Sequence, residues 1–190
     1  MSLTGNLESL SERGWKSTRC GGFTLIELLI TITVGAIIMS IGVPSYQDFV
    51  VKNRIQSQAS EIRSSLAMAR VEAIRRGLRV RVCPGQDGCV GANWHDGWNS
   101  FVDRNSDTNI DANETQLEVH IRLDGGSTLT GANNVIFNSD GTAVVERTLH
   151  LCSANNHAQH RRRIAISSVG RVRVCGPPAA GEPACAIACP

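Results

Sequence analysis

Two arginines set two residues apart, in Gly170-Arg171-Val172-Arg173, are the side chains of this chain best spaced for chemistry on a phosphate backbone. Successive residues of a strand point to opposite faces, so Arg171 and Arg173 share one face while Val172 and Val174 take the other. Their guanidiniums would stand about 7 Å apart and meet successive phosphates of a nucleic-acid strand. Arg161, Arg162 and Arg163 precede the pair by one short strand and are read as flanking the same surface. Arg79 and Arg81 are further cations, with no signal that places them nearby. Exposed aromatic candidates are scarce, so contact there is read as phosphate-dominated, sequence-independent and weakened by salt. The plainer alternative is a solvated face, or ion pairs with Asp and Glu.

A second constellation is oxygen-rich. Asp103, Asn105, Asp107, Asn109, Asp111 and Glu114 occupy the positions of a calcium loop that ends in a bidentate glutamate. Thr108 stands where such a loop needs glycine for its sharp turn, and strands rather than helices flank it. A polar hairpin is therefore the rival reading. Seven cysteines are present. Cys20 lies in a short basic N-terminal segment; Cys83, Cys89, Cys152, Cys175, Cys185 and Cys189 form an even set of the kind that becomes a disulfide framework in an oxidising compartment. Fifteen pairings are open to six cysteines. The favoured set closes a Gly-Gln-Asp-Gly turn with Cys83–Cys89, joins two strands with Cys152–Cys175 and pins the tail with Cys185–Cys189. A zinc site using Cys152, His157 and His160 competes, without a second cysteine pair at finger spacing.

Catalytic signals are missing. Five histidines occur, none in a recognisable triad, and there is no Walker loop, dinucleotide fingerprint or HExxH. The chain reads as a non-enzyme. Its net charge of +2 selects no partner class by itself, so what matters is where the arginines sit.

The elements that must position these residues follow from periodicity. Residues 23–43 are almost wholly apolar, and at about 1.5 Å per residue they reach roughly 30 Å, enough to cross a bilayer core. Pro44 follows, and a proline there removes a backbone donor and can kink the helix. From 45 to 76, Ile55, Ala59, Ile62, Leu66, Ala69 and Ala73 recur at steps of four and three, one stripe of an amphipathic helix. Arg75 and Arg76 suit the negative end of its dipole, and Gly77 suits the position after its end. The period then changes to two. Strands are predicted over 78–83, 98–102, 116–122, 134–137, 147–152, 163–167 and 171–175, separated by Gly-, Asn- and Asp-rich turns. Trp94, Trp98, Phe101 and Phe137 are read as core. The fold class is thus α+β, a long N-terminal helix packed on an antiparallel β-sheet head. The expected segments are a leader over 1–22, an apolar helix over 23–43, an amphipathic helix over 44–77, a head over 78–175 and an irregular tail over 176–190.

Glu27 is the anomaly in the apolar run. A carboxylate in a membrane-length helix costs about 2.5–3.5 kcal/mol at its centre and is kept when something neutralises it. Its setting, Gly21-Gly22-Phe23-Thr24-Leu25-Ile26-Glu27, resembles the processing signal of the type IV pilin and pseudopilin superfamily. The resemblance implies cleavage by a prepilin peptidase after Gly22, N-methylation of Phe23, and pairing of Glu27 with the freed amine of a neighbouring subunit. Met1 to Gly22 would then be a leader, with Arg13, Lys16 and Arg19 holding it on the cytoplasmic side. The head is similar to the GspH/FimT branch of minor pilins and pseudopilins through Trp94-x-x-Gly97-Trp98-x-x-Phe101-Val102-Asp103, Phe137-Asn138-x-Asp140-Gly141 and Gly170-Arg171-Val172-Arg173-Val174-Cys175. That branch implies an inner-membrane anchor with a periplasmic head, later built into a filament beside other pilin or pseudopilin subunits. Its FimT-type members carry a Gly-Arg-x-Arg signature and bind DNA in natural transformation, so double-stranded DNA is an expected partner. A structural minor pseudopilin of a type II secretion system or of a pilus-priming tip complex, with no DNA role, is the alternative.

Overall fold

The computed structural model describes residues 22–86, 88–91, 93–107, 109–155 and 160–176. The expected leader and the tail cysteines Cys185 and Cys189 lie outside them, as does His157. The chain divides into two units, Met1–Val43 and Pro44–Pro190.

In the first unit, helix α1 (Leu25–Arg76) begins. Thr24 caps it: its Oγ1 accepts the Glu27 backbone N–H at 3.3 Å, the first half of a Ser/Thr-x-x-Glu capping pattern. Glu27 therefore sits in the first turn, where the helix dipole favours a negative charge. Apart from Glu27 and a few hydroxyls, the side chains from Leu25 to Val43 are apolar, and almost all are exposed. The few hydroxyls among them turn inward on their own helix: Thr31 donates to the Leu28 carbonyl at 2.8 Å and Ser40 to that of Ile37 at 2.7 Å. Such bonds satisfy polar groups without water, as a lipid environment requires. Pro44 lies inside α1 and does not end it.

In the second unit, the predicted stripe is the buried one. Ile55, Ala59, Ile62, Leu66, Ala69 and Ala73 are all buried, joined by Gln58 and Ser65. Gly77, at φ 63°, closes the helix: the Leu78 N–H reaches the Ala73 carbonyl and the Gly77 N–H that of Ile74, both at 3.3 Å. That is the paired bonding of a glycine-terminated helix.

Among the described residues eight strands follow, in two antiparallel sheets. The first has the order β3-β2-β1-β5, from β1 (Val80–Pro84), β2 (Trp98–Val102), β3 (Gln116–His120) and β5 (Val135–Phe137). The second has the order β4-β6-β7-β8, from β4 (Thr128–Gly131), β6 (Arg147–Cys152), β7 (Arg162–Ile166) and β8 (Val172–Cys175). The seven predicted strands are present with bounds shifted by up to two residues. β4 is additional: Leu129 is its one buried apolar residue, so alternation gave no signal. The core joins the α1 stripe to Val80, Val82, Trp94, Trp98, Val135, Phe137, Leu149, Leu151, Ile164 and Ile166. Trp94, Trp98, Phe101 and Phe137 are all buried, as expected.

The disulfide framework needs one correction. Cys83–Cys89 is present, with Cα atoms 5.2 Å apart, and Asn99 braces the enclosed turn by donating to the Gly85 and Gly88 carbonyls. Cys152 and Cys175 are also disulfide-bonded, but not to each other. They end β6 and β8, and β7 runs between those strands. Two strand spacings are roughly 9–10 Å, beyond the Cα separation of about 4.4–6.8 Å that a disulfide spans. Their partners lie outside the described residues.

Candidate nucleic-acid interface

The hairpin from β7 to β8 carries the arginines. Gly170, at φ 75°, makes its turn; the Gly170 N–H reaches the Ser167 carbonyl at 2.8 Å, and the Ser167 N–H reaches that of Arg171 at 3.1 Å. A Cβ at position 170 would collide with the Gly141 carbonyl oxygen, so the glycine is demanded by close approach as well as by backbone angle. Arg70 of α1 locks the turn from beneath, donating from Nε to the Gly141 carbonyl at 2.8 Å and from Nη2 to that of Val169 at 3.0 Å. Sequence reasoning missed Arg70. It lies off the apolar stripe and resembles any exposed helical cation until the turn is placed above it.

Strand alternation holds at the site. Arg171 and Arg173 are exposed, while Val172 and Val174 are half-buried and pack against the core. Pairing sets Arg173 opposite Ala165 and Arg163 opposite Cys175, which brings Arg163 onto the open face with Arg171 and Arg173. The three line one groove of about 500 Å³ together with Arg147. Glu146 is the acid in its lining, and its carboxylate accepts the Ser168 N–H at 3.2 Å. Among the described residues, Arg163, Arg171 and Arg173 form no ion pair. His150, opposite Arg163 on β6, is held below its ordinary pKa by burial first and by the Arg163 charge second.

Arg162 departs from expectation. Having the opposite parity to Arg163, it points to the inner face, where it is buried and donates from Nε to Gln56 Oε1 of α1 at 3.3 Å. Burial pushes its pKa down. Arg161 is half-buried and precedes β7 on Arg163's side. Arg79 and Arg81 do not join the surface. They belong to the other sheet's side, Arg79 donating to Ser106 Oγ and Arg81 buried against Asp103.

That pairing reaches into the oxygen-rich loop. Asp103 Oδ2 accepts from Arg81 Nε at 3.0 Å and Nη2 at 2.7 Å, and its Oδ1 accepts the Ser106 N–H at 2.6 Å. Glu114 takes the backbone N–H groups of Arg104 and Asp111. Asn105 Nδ2 lies between Asp107 and Asp111, at 2.8 and 2.7 Å from their carboxylates, and Asn109 gives its N–H to Asp107. Asp103 is thus paired with a guanidinium, and the other oxygen-bearing side chains named here hydrogen-bond within the loop. Among the described residues no group of three or more His, Cys, Asp or Glu side chains is arranged to hold a metal.

At the N-terminus, Gly22 and Phe23 are exposed ahead of α1, with Phe23 81% exposed, and Glu27 is exposed one turn in. An apolar helix long enough to span a membrane, an N-terminal methylation motif at its start and an α+β head together define a pilin-like subunit. The chain belongs to the GspH family: the model described as Type II transport protein GspH matches residues 58–170, and that of the prokaryotic N-terminal methylation motif matches residues 17–43. Subunits of this family are structural and are not enzymes. The type IV minor pilin FimU of Pseudomonas aeruginosa superposes with a TM-score of 0.54 at 24% identity, covering 72% of this chain and 98% of that one. The minor pseudopilin EpsH of the type 2 secretion system of Vibrio cholerae gives 0.50 at 16% identity, over 68% and 99%. Both likenesses concern the fold. Two fimbrial proteins of Pseudomonas aeruginosa are 37% identical over 59 residues, 31% of this chain and 38% of each relative, so the chain spans well under half the length of the curated relatives it matches.

Proposed function

We propose that this minor pilin binds DNA without sequence preference through the open face of its second sheet, serving natural transformation, with the head in the periplasm and then on a filament. The observation that carries the reading is that Arg163, Arg171 and Arg173 meet on one solvent-facing groove without an ion pair among the described residues. A fold that neutralised these charges internally, as it does for Arg81, would have nothing left for phosphate. Gly22, Phe23 and Glu27 serve assembly in this reading: cleavage after Gly22 frees the Phe23 amine, and Glu27 meets the amine of an adjoining subunit. Likeness to EpsH supports a second reading, a structural pseudopilin whose arginines contact neighbouring subunits.

One titration separates the two. Full-length protein in detergent micelles is titrated against labelled duplex across a salt series. Three phosphate contacts give a slope of log K on log salt of about −2.7, or roughly a 40-fold loss of affinity from 50 to 200 mM. Arg171→Gln with Arg173→Gln leaves one contact and a loss of only about 3- to 4-fold over the same range. Equal slopes in the folded wild type and double variant would leave the structural reading standing alone.

A further inference from the structure

Among the described strands β8 is the outer one of its sheet, and a groove runs along each side of it. The second groove, of about 550 Å³, lies between β8 and α1 and is lined by Gln56, Arg63 and Arg162 with Val172 to Gly176. Arg173 lines both grooves, so it occupies the crest between them. Arg63 is exposed on the helix and forms no ion pair among the described residues. Among the described residues, no acid lines this second groove and no aromatic lines either one. The grooves beside β3, at the outer edge of the other sheet, mix signs: Glu72, Glu118 and Arg76 in one, Glu61, Asp124, Arg54 and Arg122 in the other. The bias toward cations is therefore local to the β8 edge in a chain whose net charge is only +2.

We infer that the β8 edge is a ridge that seats in one groove of duplex DNA. Arg163 and Arg171 on the sheet face contact one bordering phosphate row, Arg63 on the helix side contacts the other, and Arg173 sits at the crest. The inference rests on the DNA-binding reading above and adds to it a contact residue from α1 and a geometric ground for duplex over single strand. Two observations make that choice. The cations line grooves on both sides of β8 rather than one side alone, which matches two phosphate rows and not one. Single strands are held by aromatic platforms on which bases stack, and neither groove supplies one.

The test uses full-length protein in detergent micelles, with a labelled duplex and a single strand of the same sequence. Arg63→Gln is expected to flatten the duplex salt slope by about 0.9. Arg104→Gln, an exposed arginine in the loop after β2, is expected to leave it unchanged. Wild-type protein is expected to bind the duplex more tightly than the single strand. An unchanged slope in Arg63→Gln, while the Arg171/Arg173 double variant flattens its own, overturns this inference and leaves the DNA-binding reading intact. Equal or tighter binding of the single strand overturns the choice of duplex. No binding by wild type overturns both.

Discussion

Replacing Asp103 with alanine is expected to be among the most damaging single changes in the head, and the reason lies in Arg81. The two side chains are 0% and 5% exposed, and both Arg81 bonds converge on one carboxylate oxygen. Removing the acid leaves a guanidinium buried between β2 and β5 without its counter-charge, which costs about 3–5 kcal/mol. The Ser106 N–H loses its acceptor as well. For a chain of this size each kcal/mol lowers Tm by about 2–4 °C, so a fall of roughly 6–20 °C is expected. Tryptophan fluorescence on heating is a suitable assay, because Trp94 and Trp98 are both buried in the head. Arg81→Met with Asp103→Leu removes both charges and should recover most of the loss, since an apolar pair of similar volume replaces a buried ion pair at little cost. A fall of only a degree or two in Asp103→Ala would refute the argument. So would a double variant as unstable as the sum of its parts. The same melts repeated with calcium should not move, because Asp103 is already engaged; a chelator-reversible rise in Tm would show that the ion displaces Arg81.

Two other outcomes follow from particular contacts. His150 has its folded pKa lowered by burial and by Arg163, so the unfolded chain takes up its proton at higher pH than the folded one. Its stabilising contribution is complete above about pH 6.5 and is lost as pH falls from there through the lowered folded value. Arg163→Gln should raise the His150 midpoint in an NMR titration; an unmoved midpoint would show that the charge is not felt. Glu27→Leu should leave cleavage after Gly22 intact and abolish incorporation into filaments, read as processed subunit that stays in the membrane fraction; normal recovery of the variant in sheared filaments would remove the pairing role.

Local periodicity carried much of the structure. The α1 stripe was readable because each of its residues faces the core at helical spacing, whatever it packs against. The parity of Arg171 and Arg173 against Val172 and Val174 was equally local. β4 was invisible because a strand with a single buried apolar residue has no alternation to detect. The role of Arg70 was invisible because its acceptors, the Gly141 and Val169 carbonyls, are 71 and 99 residues away.

By itself the sequence determined the apolar stalk, the start and end of α1 and the fact of a strand-rich head, since these depend on neighbours a few residues apart. Only the tertiary structure decided which charges remain available. Arg81 and Arg171 look alike in an alternating run, yet one lies in a strand flanked on both sides and paired with Asp103, and the other at the head of an edge strand facing water. Strand order also sets β7 between Cys152 and Cys175. Adjacency of strands is settled by the global burial of apolar faces, a sum over the whole chain that no short window contains.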